Sequence, residues 1–534
     1  MSVIVFYTLD FVKNLDLSQG PATANPKATS LAGGGFAVSG DVGVNTALEV
    51  FNPSGFSLGG TAVIEGLRSA IDQLSNGNII ILSARNNASQ ILSLTAPDGG
   101  FIDSRDISNA PGNGVHDVAA LPGGGFWIVF DLINNFGSSE REIIVRFGNN
   151  AGTMVGGFDA TTAIGGDAVK PAAVALDNGN VILAWKNATS DITYAVYDAF
   201  GGVISTPAPA GTADAGSALA LTSTAKGFAL AYTDSAWGTG GSDITLKQFR
   251  FDGTLLMTSN VSNPSLSTSS AKEAEPALAR LSNDFLGVAY KLTVPPVMRT
   301  DPTVIDTVAI LVDPATGTPL AGKNVLGGGA ATDEVGTPAT AGFANGSLAV
   351  FHRNITGNDI AGEHLQATRT STGDAARNNF TGDSLRDVMN GGGGKDRLRG
   401  LGGPDSLDGG PDDDIVEGGR GCDTMTGRRG SDIFVYKSTG DSPAGATCDL
   451  ITDFVHRTDK IDLSAIDAMI NTLGNNAFTF RGTLAFTSEG QVRAVQSGLN
   501  TIVEINTKGA TGAEMTIHLD KVTASSLSLI DFFF

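Results

Sequence analysis

Two hydrophobic rhythms divide this chain. Over residues 1–375, short apolar runs alternate with Gly/Asn/Asp turns and no helical period is found, which predicts strands throughout. One phrase recurs: a small or Pro residue, alternating apolar residues, a tight turn, then a strand that often ends in an aromatic. It is clearest at Pro171–Trp185. It returns at Val115–Phe130, Ser217–Tyr232, Pro276–Tyr290 and Pro338–Phe351, with weaker copies at Pro26–Gly40 and Ser69–Ser83. The first residue after each inner turn is Phe36, Ile79, Phe126, Val181, Phe228, Phe285 or Leu348, at spacings of 43 to 63 residues. Each phrase is followed by a strand and an outer turn ending in glycine: Asn52–Gly55, Pro97–Gly99, Gly148–Gly152, Asp198–Gly201, Asp252–Gly253, Asp313–Gly317 and Ser371–Gly373. Four short strands fill such a length, and like units pack radially, so the pattern predicts an all-β, seven-bladed β-propeller. A pair of β-sandwiches is the alternative. The apolar run Val3–Leu9 is unplaced and is expected to supply the outer strand of the last blade.

From Gly382 to Val435 the period changes to nine residues and runs six times in one frame. Gly382, Gly391, Gly400, Gly409, Gly418 and Gly427 hold the first position. Asp387, Asp396, Asp405, Asp414, Asp423 and Asp432 hold the sixth. Met389, Leu398, Leu407, Val416, Met425 and Phe434 hold the eighth. This is the G-G-x-G-x-D-x-U-x pattern of a calcium-binding parallel β-helix, or β-roll. Two units make one coil, so like turns stack every second repeat. That pairs Asp387 with Asp405, Asp396 with Asp414, Asp405 with Asp423, and Asp414 with Asp432. Glycine lets a carbonyl oxygen approach a cation closely, and Ca²⁺ takes six to eight oxygen ligands. The expected metal residues are therefore the six aspartates with Gly391, Gly393, Gly400, Gly402, Gly409 and Gly418.

These repeats resemble those of the RTX family of secreted bacterial proteins. The segments that follow, Ser431–Tyr436, Asp449–Phe454 and Asp459–Ser464, resemble the C-terminal domain of the serralysin group. The ending Asp531-Phe532-Phe533-Phe534 resembles the uncleaved C-terminal signal of type I secretion. The resemblance implies Ca²⁺ as the cofactor, an extracellular location and the type I secretion machinery as a partner. Departures from the pattern are Leu385, Asp412 and Arg428, each where glycine is usual. The expected division is a propeller over 1–375, an RTX β-roll over 376–437, and a β-rich C-terminal secretion and capping domain over 438–534. The last has strand-like runs at Phe478–Phe480, Thr501–Ile505 and Met515–Leu519.

Charge and chemistry narrow the function. A net charge of −21 argues against nucleic acid or an anionic membrane as partner. No apolar run reaches membrane-spanning length, and no N-terminal signal peptide is visible. Cys422 and Cys448 are the only cysteines, so no disulfide framework is expected, though one bridge between them is open. The five histidines include no pair four apart and none precedes glutamate, so the serralysin protease motif is absent. Gly55–Gly59 matches G-x-S-x-G, but it follows an outer turn and no helix pattern follows it. The loop carboxylates Glu140, Glu142, Asp191, Asp243, Asp301, Asp306 and Asp359 are the candidates for glycoside cleavage. The loops Leu292–Val308 and Thr233–Ser242, the latter with Trp237, are the candidate binding face. The expected function is a secreted, calcium-binding protein whose propeller binds a surface glycan or envelope component. A polysaccharide-acting hydrolase or lyase, or a toxin-like factor, are the alternatives.

Overall fold

Tight turns and alternating apolar residues build the first part of this computed structural model. It describes the chain apart from residues 1–3, 17–21, 43, 54–55, 59–61, 86–88, 109–115, 134–140, 161–167, 188, 215–216, 236–241, 263–271, 282–284, 295–303, 330–337, 343–346, 355–358, 446–448, 473 and 510–511. The chain divides into two compact units, one over 9–366 and one formed by 1–8 with 367–534.

The larger unit is a β-propeller. Six four-stranded antiparallel sheets follow in sequence order over 22–65, 67–108, 116–159, 168–212, 220–260 and 272–329. In each, the second strand begins at or next to the apolar residue named after the inner turn. Phe36, Ile79, Phe126, Val181 and Phe228 are completely buried there. The inner turns close as expected: Gly124 N–H donates to Leu121 O at 3.0 Å and Gly179 N–H to Leu176 O at 2.9 Å. Apolar side chains of neighbouring sheets interleave. Trp127 packs against Phe147, Phe158 and Tyr197, and its Nε1–H donates to the Ala199 carbonyl at 2.9 Å.

The blade count differs from the seven expected: six sheets stand as four-stranded blades. Among the described residues the seventh phrase forms three strands, Ala339–Gly342, Ser347–Asn354 and Asp359–Thr372. Ala339, Ala349, Phe351 and Ile360 of this set pack on Phe36, Val38 and Phe51 of the first blade. The reason no separate blade forms lies at Ser371–Gly373, expected as an outer turn. Ser371 and Thr372 continue their strand and pair in parallel with Met389 and Asn390, and Gly373 N–H donates to Asn390 O at 2.8 Å. The strand Ile4–Asp16, which takes in Ile4–Leu9 of the run expected to supply an outer strand here, pairs with Asp359–Thr372.

The second unit contains the roll. One parallel sheet takes Asn379–Thr381, Arg397–Gly402, Ile415–Arg420, Ile433–Val435, Lys460–Asp462 and Phe532–Phe533 in spatial order. The other takes Arg386–Asn390, Ser406–Asp408, Thr424–Thr426, Asp449–Ile451 and Met515–Leu519. The eighth-position residues stack inward in register: Phe380, Leu398, Val416, Phe434, Ile461 and Phe532 along one sheet; Met389, Leu407, Met425, Ile451 and Leu519 along the other. All are buried in one continuous core that extends into the capping segment. That segment closes both sheets: Met515–Leu519 pairs with Asp449–Ile451, and Phe532–Phe533 with Lys460–Asp462. Antiparallel strands Asn500–Asn506 and Gln491–Ser497 lie outside Met515–Leu519, where a solenoid end needs cover.

Candidate metal centre

The period of nine places every second aspartate one above another. The backbone N–H of Asp387 donates to Asp405 Oδ1 at 2.8 Å, that of Asp396 to Asp414 at 2.7 Å, that of Asp405 to Asp423 at 2.9 Å, and that of Asp414 to Asp432 at 2.9 Å. All four expected pairs are thus in contact. Two residues that the nine-residue frame missed continue the ladders: Asp423 N–H donates to Asp449 Oδ1 at 2.9 Å, and Asp432 N–H to Asp459 Oδ1 at 3.1 Å. Their signal was legible, because Asp449-Leu450-Ile451 and Asp459-Lys460-Ile461 keep the aspartate two residues before a buried apolar one. The insertions before them break the count but not the geometry.

The other oxygen of each carboxylate is the informative atom. Oδ2 of Asp396, Asp405, Asp414, Asp423, Asp432 and Asp449 is buried with no hydrogen-bond partner in the structure. An unpaired buried charge is costly and calls for a compensating one. Burial pushes these carboxyls up, most of all Asp405, to about 10, where the Asp423 charge adds to the effect. Asp414, Asp423 and Asp432 rise to about 7 and Asp449 to about 8, again chiefly through burial.

The glycines serve distinct purposes. A Cβ on the first-position Gly391, Gly400, Gly409 or Gly418 would run into Oδ2 of the aspartate of its own repeat. On Gly391 and Gly400 it would also clash with the carbonyl oxygen of the stacked glycine, at 2.5 Å or closer, so no side chain fits between turn and aspartate. The third-position Gly393 and Gly402 have no atom nearer than 3.6 Å to a built Cβ. From the second repeat on, second and fourth positions take left-handed φ, including the non-glycine Leu401 (79°), Asp412 (85°) and Arg428 (71°).

Among the described residues no group of three or more His, Cys, Asp or Glu side chains could by itself hold a metal ion. Each turn brings one carboxylate and its stacked neighbour, lined by close glycine backbone. The unpartnered oxygens and the acceptor-only lining fit a hard cation held partly by carbonyl oxygens. Asp387 differs from the rest: its Oδ1 accepts from Arg369 Nη1 at 3.0 Å and its Oδ2 from Asp383 N–H at 3.0 Å. Of the other basic residues in the roll, Arg428 grips Asp408 through Nε and Nη2, at 2.6–2.9 Å, and Lys395 pairs with Asp413.

Residues 372–407 match the RTX calcium-binding nonapeptide repeat. Residues 392–531 match the serralysin C-terminal region of peptidase family M10. The roll is therefore a set of calcium-binding RTX repeats, and the two matches indicate a protein secreted by the type I route. No curated protein matches the chain. Among solved structures, the AlgE6R3 subunit of the Azotobacter vinelandii mannuronan C5-epimerase is 29% identical over 30% of this chain and 80% of its own, with a TM-score of 0.17. An Aleuria aurantia lectin mutant in complex with Fucα1-6GlcNAc is 13% identical over 56% of this chain and 99% of its own, with a TM-score of 0.35. AofleA from Arthrobotrys oligospora is 7% identical, over 61% and 91%, with a TM-score of 0.38.

Glu142, Asp191, Asp243 and Asp306 sit in four different blades, and Asp359 opens the strand that leads into the roll. Asp191 is held within its own hairpin by Asn187, Thr189 and Thr212. Glu140, Asp301 and Trp237 lie outside the described residues, as does Cys448. Ser57 forms a bridge to Phe51 beside the outer turn of the first blade, away from any helix. Two acids that sequence reasoning passed over, Asp72 and Asp117, line a central cavity of about 410 Å³. Both are committed to joining blades: Asp72 accepts from Thr29 Oγ1 at 3.0 Å and Ala120 N–H at 2.8 Å, and Asp117 from Ala173 N–H at 3.0 Å. A second cavity, of about 440 Å³, opens between the third and fourth blades. It is lined by Gly123–Gly125, Phe147, Asn149, Asn150 and Phe200, and Phe200 is 81% exposed.

No helix among the described residues is long and apolar enough to cross a membrane.

Proposed function

We propose that the roll folds around calcium held at the turns Gly391–Asp396, Gly400–Asp405, Gly409–Asp414 and Gly418–Asp423, with Asp432 closing the sixth repeat and Asp449 extending the set. The single observation that carries this is the row of buried, unpartnered Oδ2 atoms. A bound calcium ion supplies the positive charge that these oxygens lack. The aspartates fix its position through Oδ2 while Oδ1 holds the neighbouring turn, and the first-position glycines keep side chains out. Extracellular calcium modules bind at about 10⁻⁴–10⁻³ M. Such sites stay mostly empty at low cytosolic calcium and fill outside, so binding free energy becomes folding free energy after export. Hydrogen exchange over residues 391–436 of the full chain tests the reading: protection should appear as calcium is raised into that range. Full protection in excess chelator would refute it.

Export is proposed to use Asp531–Phe534 as the signal for the type I machinery. Folded, these residues are built into the roll's end. Asp531 accepts from Arg457 N–H at 2.8 Å and Ser528 N–H at 2.7 Å and lies 2.8 Å from His456 Nδ1, while Phe534 stacks on Phe532. The signal would therefore be read before the segment folds. Deletion of Asp531–Phe534 should reduce secretion, and undiminished export would count against it.

The propeller is proposed to bind a surface glycan or envelope component. Its support is the groove between the third and fourth blades, where the exposed Phe200 ring sits among backbone amides of tight turns. An aromatic face beside polar backbone suits a sugar ring. A glycan array probed with the wild type and Phe200→Ala tests this. No bound glycan, or binding untouched by the substitution, would refute it.

A further inference from the structure

We infer that Arg369 is a built-in cation that neutralises Asp387 at the first turn of the aspartate ladder, where the later turns rely on calcium. The inference rests on the calcium reading above and concerns the one position-six aspartate that departs from it. Asp387 begins its ladder, so no repeat precedes it. The residue in register before it, on the strand Asp359–Thr372, is Arg369. The guanidinium turns inward, its side chain 15% exposed against a fully buried Asp387. Nη1 donates to Asp387 Oδ1 at 3.0 Å and to the Thr381 carbonyl at 2.8 Å. One cation thus contacts a carboxylate and a backbone carbonyl, the two oxygen types that the later turns offer. Asp383 N–H takes the remaining carboxylate oxygen at 3.0 Å, so Asp387 is absent from the row of unpartnered Oδ2 atoms.

The later aspartates have no such partner. Arg428, the nearest basic departure from the repeat, is spent on Asp408, a ninth-position residue. The first coil therefore carries its own positive charge, while the following turns depend on an added ion. A charged hydrogen bond to a buried carboxylate is among the stronger single contacts a protein makes. It gives the roll a calcium-free first coil on which the next coils can stack once ions arrive. It also sets the number of ions: the Asp387 turn holds none.

The test is hydrogen exchange and calcium counting on the full chain, wild type against Arg369→Gln and Arg369→Gln/Asp387→Asn. In excess chelator, the wild type should protect residues 386–390, whose strand pairs with Thr368–Thr372, while 391–436 exchanges. Arg369→Gln should lose roughly tenfold or more of the protection over 386–390. Adding calcium should restore it, with one more ion per chain counted by native mass spectrometry. The double variant, with no charge left to neutralise, should recover protection in chelator without an extra ion. A purely structural loss would not be rescued in this way. Peptides from 67–108 report that the propeller remains folded. The inference is overturned if residues 386–390 of the wild type exchange in chelator as fast as 391–436, or if Arg369→Gln changes neither protection nor ion count. Should 391–436 be protected without calcium, the calcium reading fails, and Arg369 as the neutralising charge then stands or falls on the loss over 386–390 and its rescue.

Discussion

A methyl group separates two kinds of glycine in the roll. Gly400 and Gly402 stand two residues apart in one turn, and neither has the left-handed φ that would penalise alanine. A Cβ on Gly400 would lie 2.5 Å from the Gly418 carbonyl oxygen and closer still to Asp405 Oδ2. Both are fixed, the first by the stacked coil and the second by burial, so the turn must open. A Cβ on Gly402 would meet nothing nearer than 3.6 Å. Overpacking of this kind costs about 1–3 kcal/mol. At saturating calcium that is about a 5- to 150-fold loss in the folding constant of the roll. Gly402→Ala should be neutral or slightly stabilising, since alanine reduces the freedom of the unfolded chain by about 0.4–1 kcal/mol. Hydrogen exchange of peptides within 391–436, followed along a urea series at fixed calcium, reads both variants with the propeller as internal control. Equal loss in the two variants, or a loss only in Gly402→Ala, would show that the first-position glycine is not reserved for the aspartate.

Other consequences are open to measurement. In chelator, the folded roll keeps protons on Asp387 to about pH 6, on Asp414, Asp423 and Asp432 to about 7, on Asp449 to about 8 and on Asp405 to about 10, whereas the unfolded chain releases them near pH 4. The folded state binds more protons in that window, so calcium-free stability is greatest below about pH 4 and falls as pH rises towards 10; circular dichroism melts that show the reverse order would refute this. Met425→Ala removes a fully buried member of the inward stack and should cost about 2–5 kcal/mol, seen as a lower urea midpoint of the roll with the propeller unchanged. Trp127→Phe leaves the Ala199 carbonyl without its donor and should cost about 1–3 kcal/mol, read as a lower propeller melting temperature; an unchanged melt would mean that water replaces the indole.

What the sequence determined by itself was everything periodic. A nine-residue period fixes which aspartates stack, because each coil consumes 18 residues and the parallel register of Leu398 with Val416, or Met389 with Leu407, follows from counting. Alternation of apolar residues likewise marked the second strand of each propeller sheet, since Phe36, Phe126 and Phe228 must be covered wherever their strands lie. Tertiary structure decided what happens where periods break. Asp449 and Asp459 rejoin the ladders across insertions of irregular length, which counting cannot bridge. Ser371–Gly373 carries turn residues, yet Ser371 and Thr372 pair in parallel with Met389 and Asn390, so the third strand of the seventh phrase runs on into the roll. The ending Asp531–Phe534 reads as a signal, but in the fold Phe532 continues the inward stack beside Ile461. Arg369 precedes the first repeat and belongs to no motif. Only the pairing of its strand with Arg386–Asn390 carries its guanidinium to Asp387, because side-chain neighbours across a sheet are set by register and not by distance along the chain.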